Sequence, residues 1–176
     1  PKFSEEQFAS MLSDFGIGQS DSLKHLSFGQ RKQFYISFGL ATNCSLVIMD
    51  EPTNGLDIPS KRIFRKLVAA SMNDEKCILI STHQVRDLGN LIDRVVILEG
   101  GQIVFNHSLD SISRSYDFVQ TDLSLADDQV MYKEEGLGQV KAIVKSSGHE
   151  ISKVDFEMLF SGVVLNPQKF KISDNG

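Results

Sequence analysis

Two adjacent carboxylates, Asp50 and Glu51, close the apolar run Leu46-Val47-Ile48-Met49, and His83 follows a second apolar run, Ile78-Leu79-Ile80. In parallel α/β sheets, ligands gather outside the carboxyl ends of the strands. One carboxylate at such a rim can hold a hard cation such as Mg2+ through oxygen. Its neighbour points elsewhere and can act as a general base on water. The pair is equally readable as solvated loop acids, and His83 alone as a polar loop residue. Paired strands lie about 5 Å apart, so if the two runs are neighbours, His83 and Glu51 reach one rim. A third group is Leu26-Ser27-Phe28-Gly29-Gln30. Ser27 and Gln30 match a capping box, which makes this a well-capped helix start. The same start offers backbone N–H groups and a positive dipole end to a phosphate, with Gly29 allowing close approach.

The elements that must position these residues can be read around them. Ser4-Glu5-Glu6-Gln7 is a capping-box sequence, and Phe8, Met11, Leu12 and Phe15 then follow helical spacing up to Gly16 and Gly18. A second helix is expected from Ser27 to about Ala41, with Phe34, Ile36, Phe38 and Leu40 as its apolar members. Residues 46–49 are continuously apolar, which predicts a parallel strand covered on both faces. Pro59 suits the first turn of a helix reaching about Met72, and residues 77–81 predict a second buried strand. Strand, helix and strand make a parallel βαβ unit. Residues 85–91 predict a short helix. Arg94 to Leu98 and Gln102 to Asn106 predict a hairpin across Glu99-Gly100-Gly101. Beyond, 116–121, 130–133 and 138–145 read as strands, and 155–165 as a terminal amphipathic helix.

Composition excludes several classes. The chain has 176 residues, with 18 basic against 23 acidic side chains, a net charge of −5 and a pI near 5.3. Phosphate affinity in nucleic-acid binders is carried by clustered Lys and Arg, so no nucleic-acid partner is expected. No apolar run approaches the roughly 18 residues of a membrane helix, and nothing at Pro1 reads as a signal peptide. Cys44 and Cys77 are expected as reduced, buried thiols, and the four histidines (25, 83, 107 and 149) have no zinc-ligand spacing.

Taken in order, Leu-Ser-Phe-Gly-Gln, an apolar strand ending Asp-Glu, Pro52-Thr53-Asn54-Gly55-Leu56-Asp57 and Ser81-Thr82-His83 resemble the C-terminal part of an ATP-binding-cassette (ABC) ATPase. That is the nucleotide-binding subunit of membrane transporters. Leu26 to Gln30 looks like its signature motif, Leu46 to Glu51 its Walker B segment, Asn54 to Asp57 its D-loop and His83 its switch histidine. Asp93-Arg94 before an apolar strand also fits, and the resemblance covers about residues 20 to 107. It implies an α/β fold: a partial P-loop NTPase-type parallel sheet with helices, followed by a small C-terminal α+β appendage. The expected divisions are 1–45 as part of the helical (signature) subdomain, 46–111 as the C-terminal part of the ATPase core, and 112–176 as the appendage.

The sequence departs from the family pattern in two ways. Phe28 stands where the signature has Gly. There is also no G-x-x-x-x-G-K-[ST], no Q-loop and no adenine-stacking aromatic; all are expected upstream of Pro1, in a longer subunit. By resemblance, two such subunits sandwich two ATP molecules. Asp50 would hold Mg2+, Glu51 would activate water, and His83 would contact the γ-phosphate. Ser27, Phe28, Gly29 and Gln30 would form the signature surface that closes over the partner's ATP, with Ser27 and Gly29 on its γ-phosphate. Asp57 would couple the two sites. ATP hydrolysis would then drive separate integral-membrane subunits from the cytoplasmic face of the membrane, while this chain alone is expected to be inactive. Two alternatives stay open: a non-catalytic interaction module that keeps only the signature half-site, and a soluble ABC ATPase not tied to transport.

Overall fold

In the computed structural model of the chain, which describes residues 2–18, 20–88, 91–121, 129–136, 139–146, 148 and 153–172, Ser4 caps α1 (Glu5–Asp14) by accepting from the Gln7 amide. The capping box is only half formed. The Gln7 side-chain Oε1 accepts instead from Asn43 Nδ2, and the Ser4 amide donates to Ala41 O. Both bonds fasten α1 to the end of α2 (Phe28–Ala41). Phe34, Ile36, Phe38 and Leu40 recur at every second residue, so one helical face cannot bury them all. Ile36 and Leu40, four apart, are buried, while Phe38 is 48% exposed. Phe34 and Phe38 turn toward Phe8 of α1, with ring centroids 5.2 and 6.1 Å away.

β1 (Leu46–Asp50) pairs in parallel with β2 (Cys77–Ser81), in register from Leu46 opposite Cys77 to Asp50 opposite Ser81. The crossover is α3 (Ile58–Ser71), which Asp57 caps by accepting from the Ser60 amide, with Pro59 in the first turn. Its buried side is Ser60, Phe64, Leu67 and Val68. Each such apolar side chain contributes about 1.5–3 kcal/mol on burial. Gln33 of α2 donates from Nε2 to Ser60 Oγ at 2.7 Å in the interior, tying α2 to α3.

The strands are not covered on both faces as their continuous apolarity suggests. Val47 and Met49 are buried, whereas Leu46, Ile48 and Leu79 are half or more exposed. Among the described residues these strands form a two-stranded sheet with one covered face. Cys77 lies on the open side and is exposed, and Cys44 is half-buried, so the expectation of two buried thiols does not hold. After β2 comes a 3-10 turn at Val85–Asp87 instead of a longer helix; residues 89–90 lie outside the described residues.

The chain divides into two compact units, Pro1–Leu91 and Ile92–Gly176. In the second, β3 (Arg94–Glu99) and β4 (Gln102–Ser108) form an antiparallel hairpin. Gly100 and Gly101, at φ +56° and +77°, supply the two left-handed positions its tight turn requires. The helix α4 (Leu109–Ser115), unforeseen in the sequence, follows with Ser108 as cap. β5 (Tyr116–Thr121), β6 (Val130–Glu135) and β7 (Val140–Lys145) make an antiparallel sheet in the order β5-β7-β6, and α5 (Phe156–Leu165) completes the unit. The expected start of the third strand at Gly138 lies outside the described residues.

One apolar cluster includes Ile97 and Phe105 of the hairpin, Ile112 of α4, Tyr116, Met131 and Ile143 of the sheet, and Leu159 and Val163 of α5. The hairpin thus packs into one core with Ile112, Tyr116 and α5, inside the compact unit that runs from Ile92 to Gly176. Burial pushes the Tyr116 phenol up to about 12.

Candidate functional site

The turn that follows β1 is built on an unusual backbone at Glu51. This residue adopts φ +45°, a left-handed conformation that costs an L-residue roughly 1–2 kcal/mol. Its amide still donates to Ser81 O at 2.9 Å, extending the β1–β2 ladder by one rung. Its side chain is thereby carried over the end of β2. There His83 N donates to Oε1 at 2.8 Å, His83 Nδ1 lies 2.6 Å from the same oxygen, and Thr82 Oγ1 donates to Oε2 at 3.0 Å. Burial pushes the Glu51 carboxyl up, but the bonds from His83 and Thr82 outweigh it and hold the group below the usual carboxylate range. Glu51 and His83 therefore meet as the strand argument requires. Their direct contact, and the part played by Thr82, have no signature in the sequence beyond the run Ser81-Thr82-His83.

A neutral His83 ring donating from Nδ1 to Glu51 presents Nε2 as an acceptor, and Nε2 becomes a second donor only when the ring is protonated. The segment after His83 is held by α3. Lys61 Nζ lies 2.6 Å from Asp87 Oδ2, Arg65 Nη1 donates to Asp87 O at 2.9 Å, and Lys61 reaches Gln84 Oε1 at 3.5 Å.

Asp50, the last residue of β1, is exposed, and its carboxylate accepts from Ser81 Oγ. Among the described residues no group of three or more His, Cys, Asp or Glu side chains could hold a metal ion by itself. A lone exposed carboxylate suits Mg2+ in one mode, in which the ion keeps waters and takes its other oxygens from phosphate groups. The donor at Asp50 is the right type for that mode and insufficient for a closed protein cage.

The start of α2 lies against the same turn. Ser27 accepts from Gln30 N at 3.2 Å and Gln30 Oε1 accepts from Ser27 N at 2.9 Å, so the capping box is complete. The Ser27 hydroxyl proton stays free to donate to a ligand. A Cβ on Gly29 would stand 3.3 Å from Gly55 O, so glycine lets the helix start approach the turn. Phe28 is 70% exposed, and its ring edge lies where a Cβ on Gly55 would meet it at 3.0 Å. Gly55, at φ +80°, has the conformation that favours glycine. Lys32, missed in the sequence, donates from Nζ to Glu51 O at 2.6 Å and Asn54 O at 2.8 Å, and sits 5.7 Å from the centre of the Phe28 ring. Asp57 ends the turn as the α3 cap, and its bonds to Ser60 lower its carboxyl below the ordinary value. Asp50, Glu51 and His83 thus share one rim, the α2 start touches the turn behind them, and Asp57 stands at the far end of that turn.

No family model matches the chain. An uncharacterized ABC transporter ATP-binding protein of Methanocaldococcus jannaschii is 29% identical over 139 residues, which is 79% of this chain and 51% of the relative. The ABC transporter ATP-binding protein NatA of Bacillus subtilis is 33% identical over 89 residues, 51% of this chain and 36% of that protein. The energy-coupling factor transporter ATP-binding protein EcfA2 of Staphylococcus aureus is 34% identical over 98 residues, 53% and 34% of the two chains. The chain spans about half the length, or less, of these relatives.

A solved ATP-binding subunit of an ABC transporter aligns with TM-score 0.55 and 26% identity, over 63% of this chain and 49% of its own. A protein described as a cobalt transport ATP-binding protein aligns with TM-score 0.56 and 21% identity, over 82% of this chain and 54% of its own, a likeness of fold alone. Sequence relatives and structural neighbours converge on one family, and what the chain matches is part of an ATP-binding-cassette ATPase of α/β, P-loop NTPase-type fold.

Proposed function

We propose that the complete subunit binds and hydrolyses ATP with Mg2+ and drives separate membrane subunits of a transporter. In this reading the present chain supplies the signature helix, the catalytic carboxylate, the D-loop and the switch histidine. The observation that carries it is the Glu51 carboxylate, fixed at the rim of the parallel pair by Thr82 and His83. Phosphoryl transfer asks mainly for positioning and electrostatic stabilisation, and this rim supplies both.

Glu51 orients a water and takes its proton; the three hydrogen bonds to its oxygens leave one lone-pair site, on Oε2, for that task. His83 faces the charge that grows on the γ-phosphate. Asp50 holds the cation through oxygen. When bound, Mg2+ supplies charge neutralisation between the phosphates. Ser27, Phe28, Gly29 and Gln30 form the surface that meets the nucleotide of a second ATPase subunit, with the Ser27 hydroxyl and the Gly29 amide as its donors. Asp57 lies at the same interface. Residues 1–45 act as part of the helical subdomain, 46–111 as part of the ATPase core and 112–176 as an appendage. No helix among the described residues is long and apolar enough to cross a membrane; in this reading the subunit works at the cytoplasmic face through its membrane partners.

The test is Glu51→Gln in the full-length subunit. The amide keeps the shape but cannot accept the proton. Turnover is expected to fall by about 10²-fold or more, while ATP binding and ATP-dependent dimerisation, followed by light scattering, persist. Turnover near wild type would remove Glu51 as the base.

A further inference from the structure

We propose that Lys32 is a positioning residue for Glu51: its ammonium holds the Glu51 peptide in the left-handed conformation that aims the carboxylate at the reaction rim. The inference rests on the reading of Glu51 as the base. Three observations lead to it. Lys32 Nζ donates to two main-chain carbonyls, those of Glu51 at 2.6 Å and Asn54 at 2.8 Å, at the mouth of the turn. Glu51 itself is at φ +45°, whereas a side chain of its type rests in the extended or right-handed regions. The Glu51 amide is separately pinned to Ser81 O. The peptide planes on both sides of the Glu51 Cα are therefore held from opposite directions, one by β2 and one by α2. With both planes fixed, the direction of the Cα–Cβ bond is fixed too. That direction delivers the carboxylate to Thr82 and His83.

Without the ammonium, the carbonyl keeps one weaker donor, the Asn54 amide at 3.2 Å. The left-handed strain is then free to relax, which swings the side chain off the rim. Two further contacts show that the lysine is itself held. Its charge lies over the Phe28 ring, and Phe28 in turn touches Gly55 of the same turn. The aromatic residue that breaks the signature pattern thus acts as a seat for Lys32. Phe28 is 70% exposed, so its contact with the turn owes nothing to core burial.

The experiment is a double-mutant cycle in the full-length subunit with Lys32→Met, Lys32→Arg and Glu51→Gln. Lys32→Met keeps most of the unbranched chain and removes the donors. It is expected to lower kcat by about 10–100-fold, the scale on which a small misplacement of a reacting group acts. KM for ATP should stay the same, because the groups that bind nucleotide are untouched. Lys32→Arg, which keeps the charge and donors, should restore most of the rate. In the Glu51→Gln background, Lys32→Met should cost nothing further, since a residue acting only through Glu51 has nothing left to position.

A purely structural lysine would instead lower turnover to the same extent in both backgrounds, and that result would overturn the proposal. So would wild-type kcat in folded Lys32→Met. If Lys32→Met melts below the assay temperature, Lys32→Leu, which also lacks a donor, takes its place under the same expectations. Turnover near wild type in Glu51→Gln alone would overturn the underlying reading and the proposal with it. An inactive Glu51→Gln beside a fully active Lys32→Met would overturn the proposal only.

Discussion

The hydrogen bonds that converge on the Glu51 carboxylate set what each neighbour can contribute. His83 binds Oε1 twice, through its amide and through Nδ1, so the imidazole is oriented by the same group it assists. Removing the ring leaves the amide bond and Thr82 in place, and the carboxylate stays at the rim. His83→Ala in the full-length subunit should therefore act on the charge that develops in the transition state. The loss of one such electrostatic contact is worth about 10²–10³-fold in kcat, with little change in KM. Steady-state kinetics over a range of Mg-ATP concentrations read this directly. A large rise in KM with kcat unchanged would make His83 a ground-state binder.

At the scale of elements, packing competes with propensity most openly in α5. Gly162 stands in the middle of this helix, where glycine is about 1 kcal/mol worse than alanine. A Cβ there would lie 2.7 Å from the Phe170 ring and 3.0 Å from Tyr132 Cβ. Phe170 is 3% exposed and packs in the core of the second unit. Gly162→Ala is thus expected to destabilise the second unit by about 1–3 kcal/mol through overpacking, in spite of its better helix propensity. Denaturant unfolding followed by circular dichroism checks the sign. A variant as stable as the parent would mean that the segment carrying Phe170 yields easily.

At the scale of the whole molecule, the apolar surface left open is the notable quantity. Ile48 is 68% exposed, Leu46 53% and Leu79 51% on β1 and β2; Leu98 is 64% and Ile103 61% exposed on β3 and β4. Both pairs are two-stranded sheets among the described residues. Their strand edges and apolar side chains invite association with other strands. The 176-residue chain by itself should therefore self-associate at concentrations of about 10–100 μM, in the range where exposed strand edges aggregate. The double variant Ile48→Lys, Leu79→Lys should shift it toward monomer in light scattering. A parent chain that stays monomeric throughout that range would show that these faces are satisfied in solution.

Local chemistry made much of this legible in the sequence. Ser4 and Ser27 announce their helices because a side-chain oxygen near the first turn meets amides that no carbonyl can reach, and Pro59 announces α3 by suiting a first turn. The Gly100-Gly101 turn and the pairing of β1 with β2 follow from equally local rules, and they already bring Glu51 and His83 to one rim. Three things depended on distant parts of the chain. Continuous apolarity at 46–49 cannot say whether both faces of the strand are covered, because that depends on what lies beside it. The helix at 109–115 is held by the core built from Ile112, Tyr116 and Ile143, which are contributed by separate elements. The bond from Lys32 to the Glu51 carbonyl joins residues 19 apart. It exists because the β1 turn folds back onto the first turns of α2, and no spacing rule connects a lysine ammonium to a main-chain oxygen across such a distance.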